Sequence, residues 1–109
     1  MSTYNATIIG LGNIAWKYDS KVGRIKSGSL SHAETFQNSI RTSIVSGSTP
    51  DKTDCRLFSN HYNVPVFENY REMIKKMEPD IVSICSPTHL HYEHLNYCLD
   101  VGIPMIWLE

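Results

Sequence analysis

The chain has 109 residues and a mass of 12.4 kDa, room for one hydrophobic core and a length that excludes most multi-domain enzymes. A chain of this length buries roughly 65% of the surface its unfolded form exposes. Hydrophobic residues at 41% and charged residues at 19% exclude a disordered or fibrous chain, and a net charge of -1 excludes a general electrostatic footprint for nucleic acid.

Basic Lys17, Lys21, Arg24, Lys26 and Arg41 outweigh Asp19 and Glu34 in residues 1–41, and the remainder is acidic, so an anionic ligand is expected to favour the N-terminal part. Cys55, Cys85 and Cys98 form an odd set with no C-x-x-C pair, which points away from a disulfide framework and toward a reducing compartment. Residues 1–5 lack the basic start and apolar stretch of a signal peptide, and no apolar run is long enough to span a bilayer. The expectation is a cytoplasmic protein with no membrane and no nucleic-acid partner.

Short apolar runs alternate with amphipathic segments. Residues 6–9 read as a first strand leading straight into Gly10-Leu11-Gly12, and residues 42–45 as a second, closed by the turn-forming residues 46–50. Residues 51–61 are expected to be helical, with Leu57 and Phe58 inward and Pro50 suited to the start. Residues 64–67 follow as a brief third strand, Pro65 fitting only its start or a sheet edge. Tyr70, Met73, Ile74 and Met77 lie at i, i+3, i+4 and i+7, one stripe of a helix that Pro79 stops. Residues 80–85 form the clearest strand. A helix over 91–100 is closed by Gly102, and residues 103–108 supply the fifth strand. This alternation predicts an α/β fold, a Rossmann-type doubly wound parallel sheet in a single three-layer domain with strand order 3-2-1-4-5. The apolar runs 81–84 and 105–108 suggest burial on both faces. Residues 18–31, with Gly23, Gly28 and a cluster of basic residues, read as an inserted loop.

Gly10-Leu11-Gly12-Asn13-Ile14-Ala15 matches G-x-G-x-x-[G/A] directly after a strand, the context that gives this string meaning. The first glycine permits a tight turn, the second removes a Cβ from the path of a pyrophosphate, and the small third residue lets the helix pack closely. The helix that follows points free N–H groups at the phosphates. An acid for the adenosine ribose is expected about 20 residues on. Glu34 is nearest in count but falls in a helical stretch, and the strand-end position falls at Ser46 to Ser48, where there is no acid. NAD or NADP is therefore the expected cofactor, with a lean to NADP through Ser46, Ser48 or Lys52; the other reading of 46–50 is a plain turn.

Pro79-Asp80-Ile81-Val82-Ser83-Ile84-Cys85-Ser86-Pro87-Thr88-His89-Leu90-His91 resembles the "pDiV-x-i-[ST]-P-x-x-x-H" segment of the glucose–fructose oxidoreductase / inositol dehydrogenase (Gfo/Idh/MocA) family. Tyr62-Asn63-Val64-Pro65 and Asn69-Tyr70-Arg71-Glu72-Met73 resemble its "Y-x-V-P" and "D-Y-x-E-M" segments, and residues 102–109 the approach to its E-K-P motif. The resemblance implies that Gly10, Leu11, Gly12, Asn13 and Ile14 contact the pyrophosphate. It implies that Ser86, Pro87, Thr88 and His91 lie toward the nicotinamide, and that Glu109 is the glutamate of E-K-P with a catalytic or cofactor-contacting role. The lysine of that motif and the family's Asp-x-x-x-His pair are not among these residues. The chain thus resembles a cofactor half without its substrate domain, expected to be inactive alone. The implied reaction moves a hydride between nicotinamide and a hydroxyl-bearing carbon of a sugar, cyclitol or related small polyol, a substrate held only with the missing domain.

Three rival readings use the same residues. Cys85, His89, His91, His94 and Cys98 lie close enough in sequence to suggest zinc, but a polar helix start beside a core Cys98 explains them without metal, and no metal is expected. The same fold also serves non-catalytic nucleotide sensors. Cys85 as a nucleophile lacks an orienting neighbour. Trp16 and Trp107 are expected to pack, and the surface that meets the absent domain suggests possible self-association into a homo-oligomer.

Overall fold

The computed structural model describes residues 3–12 and 32–109. Five strands form one parallel sheet: β1 (Tyr4–Ile9), β2 (Thr42–Ser48), β3 (Val66–Phe67), β4 (Ile81–Ile84) and β5 (Met105–Leu108), in the order β3-β2-β1-β4-β5. The helices are α1 (His32–Asn38), α2 (Lys52–Tyr62), α3 (Tyr70–Met77) and α4 (His91–Val101), the last preceded by a single 3-10 turn, Thr88–Leu90. This is the expected Rossmann-type arrangement. The inserted loop 18–31, Asn13, Ile14, Ala15 and Trp16 lie outside the described residues. No helix among the described residues is long and apolar enough to cross a membrane.

Side-chain alternation along the strands divides the core into two layers. Ala6 and Ile8 of β1, Ile44 of β2 and Ile81 of β4 meet Ala33 and Phe36 of α1 and Phe58 of α2 on one face. Ile9, Val82 and Ile84 meet Met73 and Ile74 of α3 and Cys98 of α4 on the other. Right-handed crossovers produce this division, since β1 to β3 wind one way and β3 to β5 return on the opposite face. The helices carry their own stops and starts. Asp51 caps α2 by accepting from Asp54 N–H at 2.9 Å, Asn69 caps α3 by accepting from the Arg71 and Glu72 N–H groups, and Gly102 closes α4 at φ 80°.

Four expectations change. β2 does not end at Val45 but runs to Ser48 through an irregularity, Ala6 pairing with Ile44 and Thr7 with Ser46. The turn-like composition is overridden because this stretch lies inside the sheet. A Cβ on Gly47 would lie 2.9 Å from Leu11 Cδ2 and 3.2 Å from Phe58 Cε1, so the glycine admits both core side chains. On α2 Phe58 is the one fully buried side chain, with Tyr62 packed partly against the same core; Leu57 is 45% exposed. β3 shrinks to two residues, with Val64 O accepting from Ser59 Oγ and Pro65 O from Ser46 Oγ, each at 2.8 Å. β4 is buried throughout, but β5 is an outer strand with one neighbour, and Met105, Trp107 and Leu108 are exposed.

Candidate functional site

Parallel pairing brings the carboxyl ends of four strands to one edge. Gly10 N–H donates to Ser48 O at 2.8 Å, Cys85 N–H to Ile9 O at 2.8 Å, and Glu109 N–H to Ile84 O at 3.1 Å. A crevice of about 750 Å³ opens there, beside the turns that leave β1, β2 and β4. Such an edge, where the winding reverses, is where open α/β sheets bind ligands.

Of the residues singled out from sequence, Gly10, Ser48, Ser86 and Pro87 line this crevice. Gly10 adopts φ +91°, and a Cβ there would stand 2.6 Å from Ser86 N, so glycine is required by conformation and by the closeness of β4. Gly12 differs, since among the described residues a Cβ there would meet nothing within 4 Å. That open space beyond the β1 turn fits a phosphate bridge, and the residues present agree with a dinucleotide. The Leu11 side chain is buried over Gly47, leaving only its backbone toward the turn.

Ser46 is not brought to the site. Its side chain is fully buried and its hydroxyl donates to Pro65 O, a consequence of β2 running three residues further than its composition suggested. Lys52 lies exposed in the first turn of α2, and neither it nor Thr88, His91 or Glu109 lines the crevice.

Ser86 in the wall is held by two histidines. His91 Nε2–H donates to its carbonyl at 2.7 Å, and His94 Nδ1 lies 2.7 Å from its hydroxyl. Burial pushes His94 below the ordinary histidine range, with His91 and Arg71 acting the same way and Glu93 opposing. The Tyr70 ring meets His94 edge-on at 4.4 Å, and Tyr70 Oη donates to Glu93 Oε2 at 3.0 Å. Asp51, Glu68 and Glu93 line the same crevice with Arg71, whose guanidinium lies 4.9 Å from the Tyr97 ring centroid. The basic residues expected to draw an anion, Lys17 to Lys26, lie outside the described residues.

The sequence reading missed His94, Asp51 and Arg71 as parts of this wall. His94 had a legible signal, one turn beyond His91 at the start of a helix. A second polar group, also missed, sits at the end of β5, where His32 Nε2 lies 2.9 Å from Glu109 Oε1.

The zinc candidates do not converge. Cys98 is in the core, His91 and His94 are engaged with Ser86, and no group of three or more potential ligands is assembled among the described residues. Burial raises the Cys85 thiol to about 11.

Residues 4–109 match the family described as "Oxidoreductase family, NAD-binding Rossmann fold" (GFO_IDH_MocA). The D-glucoside 3-dehydrogenase of Escherichia coli (strain K12) is 37% identical over 46 residues, covering 42% of this chain and 13% of that protein. Two solved structures share the fold. The myo-inositol 2-dehydrogenase of Lactobacillus plantarum has TM-score 0.75 and 24% identity, covering 95% of this chain and 27% of its own. The scyllo-inositol dehydrogenase of Lactobacillus casei, solved with NAD(H) and scyllo-inositol, has TM-score 0.77 and 19% identity, covering 98% and 28%. This chain thus spans well under a third of the length of each. With its sheet order, its glycine turn and a match over nearly its whole length, the chain belongs to the Gfo/Idh/MocA oxidoreductase family and carries that family's NAD(P)-binding Rossmann fold.

Proposed function

We propose that this chain supplies the cofactor part of an NAD(P)-dependent oxidoreductase acting on a sugar, a cyclitol or a related small polyol, with the substrate held by residues outside these 109. The observation that carries the reading is the Gly10 turn packed on Ser86, with no described residue within 4 Å of the Cβ position of Gly12. The substrate class is supported by the glucoside and inositol dehydrogenases that the chain resembles.

The bound nicotinamide supplies the hydride chemistry, and the chain's share is binding and orientation. Gly10 turns the backbone out of β1, and Gly12 leaves room for the pyrophosphate. Ser86 and Pro87 form the β4 wall, held by hydrogen bonds with His91 and His94, and Thr88 follows them outside the crevice lining. Glu109 stands at the end of β5, next to the end of β4.

For the adenosine end, NADP is supported by the lack of a carboxylate at the end of β2, where Ser48 stands, and by the nearby Lys52. NAD is the second reading, favoured by Asp51, whose carboxylate in the crevice wall would repel a 2′-phosphate. Calorimetric titration with NAD(H) and NADP(H) tests the site and decides between them. Binding of neither sinks the cofactor reading. Asp51→Asn, which preserves the cap, is expected to shift the ratio toward NADP.

The free thiols Cys55, Cys85 and Cys98 support a reducing, cytoplasmic setting, to be tested by cell fractionation. Exposed Met105, Trp107 and Leu108 support self-association along β5, and a strictly monomeric species in concentrated solution would count against it.

A further inference from the structure

On the face of the sheet that carries α1, three polar side chains far apart in sequence form a chain of hydrogen bonds. Ser83 Oγ bonds His32 Nδ1, and His32 Nε2 lies 2.9 Å from Glu109 Oε1. Trp107 packs against the imidazole with ring centroids 4.7 Å apart, and Phe36 meets the same indole edge-on at 6.0 Å. Ser83 is fully buried and His32 is 5% exposed, whereas the Glu109 side chain is 47% exposed. The chain therefore runs from the interior to the surface and ends on a carboxylate.

The order serine, histidine, carboxylate is that of a nucleophilic triad. Here the serine is sealed inside β4 and meets no substrate, so the arrangement works in the other direction. A carboxylate only accepts, so the proton on Nε2 is fixed by Glu109 in either charge state of the ring. With a neutral imidazole, Nδ1 is then bare and Ser83 Oγ–H donates to it. Packing by Trp107 holds the ring plane. A long glutamate side chain loses rotamer freedom when it is pinned, and the buried pair Ser83–His32 provides the rigid support.

We propose that His32 is the positioning residue of Glu109. It holds that carboxylate at the ends of β4 and β5 in the orientation the nicotinamide end of the cofactor requires, with Ser83 fixing the ring from behind. This rests on the reading that Glu109 contacts the cofactor.

The experiment uses the full chain and four variants: Glu109→Ala, His32→Asn, His32→Gln and the double variant His32→Asn/Glu109→Ala. NADH and NADPH affinities are measured beside nitrogen NMR of the His32 ring. Asparagine places its amide near the Nδ1 position and keeps only the Ser83 partner, while glutamine reaches the Nε2 position and keeps Glu109. His32→Asn and Glu109→Ala are expected to weaken binding of the preferred cofactor by about tenfold each, the size of one charge-assisted hydrogen bond. The double variant is expected to lose no more than either single one, and His32→Gln to recover most of the loss. In Glu109→Ala the Nε2 resonance is expected to move, marking the lost partner.

Equal losses in His32→Asn and His32→Gln, or additive losses in the double variant, would mean that His32 only fills the core, and would overturn the proposal. Loss of affinity in Glu109→Ala with an unmoved Nε2 resonance would also overturn it, while leaving Glu109 at the cofactor. A moved resonance with unchanged affinity in every variant would show the pair but remove its positioning role, because Glu109 would then not serve the cofactor. Absence of binding to the unaltered chain overturns the cofactor reading itself, and the positioning role with it.

Discussion

Gly10 and Ser86 approach so closely that a side chain on the first would collide with the backbone of the second, an added Cβ standing 2.6 Å from Ser86 N and 2.7 Å from Ser86 Cα. Two strand ends distant in sequence are thereby locked together at the mouth of the crevice. Gly10→Ala must relieve both this overlap and a positive φ, and is expected to cost about 3 kcal/mol or more by urea denaturation. Among the described residues Gly12 meets neither constraint, so Gly12→Ala is expected to change stability by less than about 0.5 kcal/mol. Gly12→Asp is expected to fold with an unchanged midpoint yet to give no calorimetric signal with either dinucleotide, since its carboxylate would occupy the pyrophosphate path.

His94 makes stability depend on pH. Its buried imidazole resists protonation in the folded chain, while the unfolded chain binds a proton at the ordinary value of 6.5. The unfolded state therefore binds more protons below that value, and stability is expected to fall as pH drops through and below it. Above it, this contribution is fully present. Urea midpoints measured between about pH 7.5 and 5 should decline, and His94→Asn, which keeps an amide near Ser86 and does not titrate, should lose this component of the slope.

The interior thiols are chemically quiet. Burial raises Cys85 and Cys98 to about 11 each, so both stay overwhelmingly as thiols near neutral pH. Brief iodoacetamide treatment followed by mass spectrometry should find both unmodified in the native protein and both alkylated after denaturation. Rapid native alkylation of Cys85 would reopen a nucleophilic role.

Thr7 is fully buried in the central strand β1, and among the described residues its Oγ1 has no hydrogen-bond partner. Valine has nearly the same shape without the stranded hydroxyl. Thr7→Val is expected to raise stability by about 1 kcal/mol, read from the urea midpoint.

Local chemistry made the alternation of elements, the glycine turn and the helix ends legible in the sequence. Gly102 after a helical stretch, Pro79 after Met77 and Gly10 after an apolar run each act through their own backbone preference, and each stands where that preference put it. Strand order followed from the doubly wound pattern that the glycine turn after β1 implied, a pattern that needs no other side-chain detail. Motif matching likewise brought Ser86 and Pro87 to the crevice, because they follow directly on a strand whose end is fixed.

Only the tertiary structure decided what depends on neighbours remote in the chain. Ser46-Gly47-Ser48 has turn chemistry, yet sheet pairing and the space that Gly47 leaves for Leu11 and Phe58 hold it as strand, burying both serines and placing only Ser48 of the two at the crevice wall. Leu57 and Phe58 are adjacent and equally apolar, and the contact with the sheet alone determined which turned inward. His32, Ser83 and Glu109 lie 51 and 77 residues from one another along the bonds they make, so no local pattern joins them. Periodicity and turn preference are encoded over a few residues, whereas burial and side-chain pairing are set by which strands and helices the fold brings together.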